Sequence, residues 1–244
     1  MADITKLTID VTSDYLCPFC LLGMKQLEIA VAKYHQQYPG VEFNIRLHPF
    51  QLNGLLTETP VSRREWGEKK FGAERWAAVS ASLRDKFRGV GIEPATDSYM
   101  SSSHLAHRLT EYAHEVKPAS QLGVAMDLFA LYHINGTHLS DKAALATLAT
   151  KHGLFKNPDE ARVWLDGPGS DLTVKKAYQR AQRNGITGVP FFVFQDKYAA
   201  SGAMGVDEFV NIITEITKRE KSSSPQPMAV TGDQCIIQNP QLPV

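Results

Sequence analysis

The chain has 244 residues, and its 26 Lys and Arg balance 26 Asp and Glu, for a formal net charge of zero. That balance excludes the broad cationic surface of a nucleic-acid or anionic-membrane binder. With 43% apolar and 21% charged residues, the chain is also not largely disordered. Three cysteines, Cys17, Cys20 and Cys235, make no disulfide framework. No stretch approaches the roughly 18 apolar residues of a membrane span. Residues 1–10 lack the apolar core of a secretory leader, so a cytoplasmic protein is expected. In that setting a close cysteine pair points to catalysis, redox sensing or metal binding.

The first element reads as a strand. Leu7, Ile9 and Val11 alternate with polar residues, the period of a half-buried strand. Cys17-Pro18-Phe19-Cys20 follows and leads into a helix whose apolar face carries Leu22, Leu27 and Tyr34 and which Pro39-Gly40 stops. Val41 to His48 alternates again as a second strand. Residues 5–49 thus spell β-α-β, a unit that implies parallel strands and a right-handed crossover.

The middle is helical in period. Helices are expected over 63–71, 73–88, 103–115, 119–134, 141–152, 158–165 and 170–184, separated by Gly, Pro and Asn breaks. β-character returns in Val189 to Phe194, with a turn at Asp196-Lys197 and a hairpin partner from Tyr198 to Ser201. A last helix spans Asp207 to Arg219 on the face of Phe209, Ile212, Ile213 and Ile216, and Met228 to Val244 reads as an extended tail. The expected class is α/β: βαβ, an inserted helical block, then ββα. The expected boundaries are 1–55 with 185–220 for the α/β domain, 56–184 for the helical domain and 221–244 for the tail.

The chemistry concentrates at Cys17-Pro18-Phe19-Cys20, where a strand gives way to a helix. A residue there faces unpaired N–H groups and the positive end of the helix dipole, which stabilise a thiolate. Pro18 suits the first helical turn because its missing N–H would be unpaired anyway. Cys20 lies one turn on, placed to attack a mixed disulfide on an exposed Cys17. Two other readings stand beside this one: inert packing cysteines, and half of a zinc site completed by His104 and His107. Further on, Gly185-Ile186-Thr187-Gly188-Val189-Pro190 brings a proline to the start of a strand. A cis Val189–Pro190 bond would offer the Val189 backbone to a substrate peptide, whereas on periodicity alone a trans proline opening an edge strand is favoured.

Taken together, SDYLCPFC, HPFQLN at 48–53, AHRL at 106–109, GITGVPFFVF at 185–194 and SGA at 201–203 resemble the DsbA-like thioredoxin-fold family, in its FrnE-type branch. The resemblance spans about residues 5–218. It implies a thioredoxin fold interrupted by a large inserted α-helical domain, Cys17 as nucleophile, Cys20 as resolving thiol, and Val189 with a cis Pro190 as the substrate-pairing loop. It also implies departures. Phe19 stands where the family has His or Trp, so the Cys17 thiolate depends on the helix end rather than on its neighbour. Ser101-Ser102-Ser103-His104 replaces a customary Asn-Thr pair, and Cys235 supplies no second redox pair. Kappa-class glutathione transferases and 2-hydroxychromene-2-carboxylate isomerases are similar in architecture but carry a Ser near the Cys17 position. They also have a polar group after the glycine matching Gly202, where this chain has Ala203-Met204.

Pro18, Phe19, Asn53, His107 and Gly202 join Val189 and Pro190 as candidate substrate-binding residues. For His107 and His104 the other reading is a capping or interdomain hydrogen bond, and for Asn53 an ordinary turn. Trp66 and Trp76 read as core residues, or as a lid; Arg180 and Arg183 as a solvated face, or as partners of a glutathione carboxylate. The expected function is a cytosolic thiol–disulfide oxidoreductase. The alternative is an isomerase or transferase of a small conjugated molecule using glutathione or the Cys17 thiolate directly. Expected partners are a thiol or disulfide substrate (peptide, glutathione or small molecule), with no nucleic acid and no membrane; a homodimer is left open. No cofactor is obligatory, glutathione being the candidate co-substrate, and no metal is expected.

Overall fold

A computed structural model describes residues 5–221 and 237–238. Strand β1 (Thr5–Ser13) is central: it pairs in parallel with β2 (Val41–Pro49), from Thr5 opposite Val41 to Ser13 opposite Pro49. On its other side it pairs antiparallel with β5 (Phe191–Phe194), Ile9 opposite Phe194. Strands β6 (Tyr198–Ser201) and β7 (Ile237–Gln238) complete a five-stranded sheet of order β2-β1-β5-β6-β7. Leu7, Ile9 and Val11 are all buried, as their alternation requires. Helix α1 (Pro18–Gln37) packs against α9 (Val206–Lys221), where Phe209, Ile212, Ile213 and Ile216 are likewise buried. The tail expected from Met228 on, and Cys235 with it, lies outside the described residues apart from β7.

Between β2 and β5 the chain is helical: α2 (Arg63–Phe71), α3 (Ala73–Arg88), α4 (His104–Val116), α5 (Gln121–His133), α6 (Lys142–Lys151), α7 (Pro158–Asp166) and α8 (Asp171–Arg183). Each lies within two residues of its expected span, as caps explain. Asp141 accepts the Ala143 and Ala144 amides at the start of α6, and Asn157 accepts the Glu160 amide at the start of α7. The period analysis misses β3 (Val61–Ser62) and β4 (Tyr99–Met100), a two-residue pairing too short to show alternation. The β5–β6 turn sits one residue earlier than expected, with Gln195 and Asp196 at φ 52° and 55°. Asp tolerates this left-handed backbone. Gln195 is held by its side chain, whose Oε1 accepts the Thr8 amide at 2.7 Å and the Thr8 hydroxyl at 3.0 Å.

Two buried polar side chains fasten the helical block. β2 is an edge strand, and an edge leaves peptide groups unpaired. Gln121 of α5 satisfies both groups of Leu47 there: its Oε1 accepts the Leu47 amide at 3.2 Å and its Nε2 donates to the Leu47 carbonyl at 3.1 Å. Arg108 of α4 is buried and donates to four carbonyls around the end of α7: Trp164, Leu165, Gly167 and Gly169. A helix C-terminus leaves carbonyls orphaned, and one guanidinium gathers them.

Arg108→Gln should therefore destabilise the fold by about 2–4 kcal/mol, since buried acceptors lose charge-assisted donors. Urea denaturation checks this; a midpoint within error of wild type would show that the α7–α8 loop does not depend on Arg108.

Candidate active site

Cys17 occupies the cap position of α1, with extended backbone (φ −80°, ψ 114°) and Pro18 in the first helical turn. Its amide donates to the Asp14 carbonyl at 3.0 Å, closing the turn between β1 and α1. Cys20 lies one turn along, and both cysteines are free thiols. Cys17 is 5% exposed and Cys20 0%. The expectation of an exposed nucleophile is corrected here: Cys17 is buried, and its thiol donates to the Val189 carbonyl at 3.6 Å. The Val189–Pro190 bond is cis.

The two thiols differ in acidity. A hydrogen bond from the Cys20 thiol holds the Cys17 thiol below its ordinary range; the Cys20 and Phe19 amides at the helix end add to this, against burial and the charge of Asp14. Burial pushes the Cys20 thiol well up, and the neighbouring Cys17 raises it further. The site thus holds one sulfur ready to ionise and a second that keeps its proton.

Beneath the pair lies Asp14, 0% exposed. Its Oδ1 accepts the Leu16 amide at 3.1 Å and its Oδ2 the Leu52 amide at 2.8 Å, and His107 Nε2 stands 3.5 Å from Oδ1. Burial acts to raise this carboxyl, but His107 and the two amides outweigh it and hold it below the ordinary carboxylate range. The next residue, Tyr15, is fixed through its hydroxyl to Thr110 at 2.5 Å and through its carbonyl, which accepts from His133 Nε2 at 2.9 Å. Burial drives His133 down to about 3, with the charge of Arg63 adding to it, so this imidazole is neutral.

A cavity of about 1220 Å³ opens beside the cysteines. Leu16, Pro18 and Phe19 form its near wall, Leu52 to Leu56 one side, and α2 and α3 the other. Phe19 is 44% exposed and faces it. Asn53 lines it too, while also making the expected turn by accepting the Leu55 amide at 3.2 Å. Trp66 and Trp76, read as core, are half-buried and line the cavity, Trp66 while also packing against the core. They sit on two helices facing each other across Gly67, where an added Cβ would meet the Trp76 ring at 2.3 Å.

Other expectations sort as follows. Gly202 is adjacent to the cysteine-facing loop rather than to the cavity: its amide donates to the Pro190 carbonyl at 2.9 Å. His107 is corrected as a substrate contact. It is 3% exposed and packed on the Tyr15 ring, because its partner is the buried Asp14 carboxylate. His104 turns to Asp171 at 2.8 Å and Tyr178 at 3.3 Å, so the two histidines serve different carboxylates and not a shared metal with the cysteines. Arg180 and Arg183 are exposed. Asp14 itself was missed; its place within SDYLCPFC was the available signal.

Comparison with known proteins agrees with this architecture. The chain is 27% identical over 217 residues to the uncharacterized protein YwbO of Bacillus subtilis (strain 168), covering 87% of this chain and 98% of that one. Among solved structures, a probable DsbA oxidoreductase from Streptomyces coelicolor superposes with TM-score 0.76 at 24% identity, over 96% of this chain and 100% of that one. A 2-hydroxychromene-2-carboxylate isomerase gives TM-score 0.62 at 14% identity, over 89% and 100%. The cytosolic disulfide reductase DsbM from Pseudomonas aeruginosa, solved with GSH, gives 0.55 at 16%, over 86% and 99%. These likenesses are of fold. The family model of the DSBA-like thioredoxin domain matches residues 8–214, and the chain belongs to that family.

Proposed function

We propose that the protein is a thiol–disulfide oxidoreductase with Cys17 as nucleophile and Cys20 as resolving thiol. The observation that carries this reading is the placement of two free thiols one turn apart at the start of α1. Cys17 is at the cap, its sulfur on the Val189 carbonyl beside the cis Val189–Pro190 bond, and Cys20 is buried behind it. The Cys17 thiol is held low and the Cys20 thiol high, in keeping with this. The Cys17 thiolate attacks one sulfur of a substrate disulfide; that S–S bond breaks, and the departing sulfur leaves as a thiolate that takes up a proton. Cys20 then gives up its proton and attacks the Cys17 sulfur. The mixed disulfide breaks, the second substrate sulfur leaves, and a Cys17–Cys20 disulfide remains, two electrons having passed to the substrate. Two glutathione thiols, or one dithiol, restore the pair and become the disulfide. The sparse cysteines fit a reducing compartment such as the cytosol, where glutathione is the ready donor. An isomerase that adds a thiolate to a conjugated bond and then eliminates it has no use for a resolving thiol. Cys20, hydrogen-bonded to Cys17, therefore favours exchange over isomerisation.

Cys17→Ser should abolish reduction of glutathione disulfide and insulin. Cys20→Ser should instead accumulate a mixed disulfide with glutathione on Cys17, visible by intact-protein mass spectrometry. Turnover at the wild-type rate in both variants would refute the assignment.

The pH dependence follows from the direction of the Cys17 shift. A thiol with a lowered value keeps its thiolate as pH drops below the free-thiol midpoint and loses it only as pH falls through the lower, folded value. Iodoacetamide alkylation of the reduced protein should therefore show a midpoint below about 8.5, the value of a free thiol. A midpoint at or above that value would mean the helix end and Cys20 do not act on the sulfur.

A further inference from the structure

The cavity beside Cys17 has a lining of one charge sign. Arg63, Lys69, Lys70 and Lys86 border it, and no Asp or Glu does. Among the described residues, no carboxylate forms an ion pair with Arg63, Lys69 or Lys86. Arg63 also borders a smaller cavity that Glu68 and Asp97 line, but its guanidinium lies over the Trp76 ring, 5.7 Å from the centroid. Lys70 sits 4.6 Å from the Trp66 centroid. The walls between these cations are aromatic: Trp66, Phe71 and Trp76, with Phe71 and Trp76 parallel within 3°.

A second, independent feature lies deeper. Tyr132 of α5 lines the cavity, is 1% exposed, and its hydroxyl has no hydrogen-bond partner among the described residues. Buried hydroxyls are nearly always paired, so this donor waits for an acceptor. Arg63 and Tyr132 both line this cavity. Burial raises the Tyr132 hydroxyl to about 12, so it remains a donor at neutral pH.

We propose that this cavity binds small aromatic carboxylates, with Arg63 and Tyr132 as the groups that receive the carboxylate and the tryptophans as the walls that receive the ring. The proposal deepens the activity above and rests on it for the reacting bond: the substrate is an aryl carboxylate carrying a disulfide. Leu16, Pro18 and Phe19, the residues flanking Cys17, form the wall at which that bond is presented. Exchange then runs as written above, an aryl thiolate being the first leaving group. An Arg guanidinium receives a carboxylate through two parallel hydrogen bonds, and an aromatic face fits beside it.

The test separates binding from redox chemistry. 2-Naphthoate and its neutral isostere 2-naphthamide are titrated calorimetrically into the Cys17→Ser protein at low salt. The acid should bind about tenfold tighter than the amide, the worth of one charge-assisted contact. In Arg63→Gln the preference should fall to about twofold or less. Tyr132→Phe should weaken naphthoate severalfold and naphthamide by less, since a hydrogen bond to a charged acceptor is worth more than one to a neutral carbonyl. Should Tyr132→Phe fail to fold, Arg63→Gln, at the half-buried first residue of a helix, still decides the matter. Equal binding of acid and amide, no saturable binding, or a preference that survives Arg63→Gln overturns the proposal. So does an acetylated Asp-Glu-Phe-Glu peptide that binds more tightly than naphthoate, which would assign the cavity to acidic peptides. In the wild-type protein, 5,5′-dithiobis(2-nitrobenzoate) should be reduced in preference to the neutral 2,2′-dithiodipyridine. Naphthoate binding without any Cys17-dependent disulfide reduction would refute the oxidoreductase reading and the reacting bond while upholding the carboxylate site.

Discussion

One buried carboxylate fixes the geometry on which the rest of the molecule depends. Asp14 sits at the end of the central strand, wholly enclosed. It holds the Leu16 amide on its own turn, the Leu52 amide on the loop after β2, and His107 on α4. Its backbone carbonyl meanwhile holds the Cys17 amide. Three segments far apart in sequence are therefore referenced to one group, and the cysteine turn takes its position from it. Such a charge is stable only with its partners: removing one from a buried pair costs about 3–5 kcal/mol. The same charge works against the Cys17 thiolate. The acidity of Cys17 is thus a balance, in which the Cys20 thiol and two helix-end amides prevail over burial and a nearby anion. The anchor that places Cys17 also limits how acidic its thiol becomes.

The helical block contributes both core, through buried residues such as Leu109, Leu128 and Phe129, and a cavity. α4 and α5 seal the sheet edge and hold the floor, with Gln121 completing the unpaired face of Leu47 and Tyr132 facing the open volume. α2 and α3 touch one another across Gly67, and α3 packs on that floor through Phe87, whose ring lies 6.0 Å from that of His133. A glycine inside a helix is ordinarily a weakness of about 1 kcal/mol. At this position it is what lets an indole ring lie against the neighbouring backbone and turn one face to the cavity.

The sequence made the scaffold legible because the scaffold is periodic. The period-2 alternation of Leu7, Ile9 and Val11 and the period-3.6 stripe of Phe209, Ile212, Ile213 and Ile216 correspond to buried faces. Cys17 and Cys20 were legible because a strand-to-helix junction gives a cysteine pair a physical meaning. What escaped were contacts between segments far apart in the chain. His107 pointed at a substrate in the sequence because its motif does; only the folded chain shows Asp14 beside it. Trp66 and Trp76 carry the apolar signal of core residues, and helical spacing cannot say whether a neighbouring element lies close enough to cover them. Arg108 read as one letter of AHRL, yet its partners lie 56 to 61 residues away.

The enclosure of Cys20 bears on how the site survives oxidants. A peroxide reaching Cys17 converts its thiolate to a sulfenic acid, a step that a second oxidant would carry on to irreversible sulfinic acid. Cys20, wholly shielded from solvent, is not itself open to that attack. On the proposed assignment Cys20, beside that sulfur, would displace its hydroxyl as water and leave a reducible disulfide. On that assignment the buried thiol would be an internal safeguard for the more reactive one.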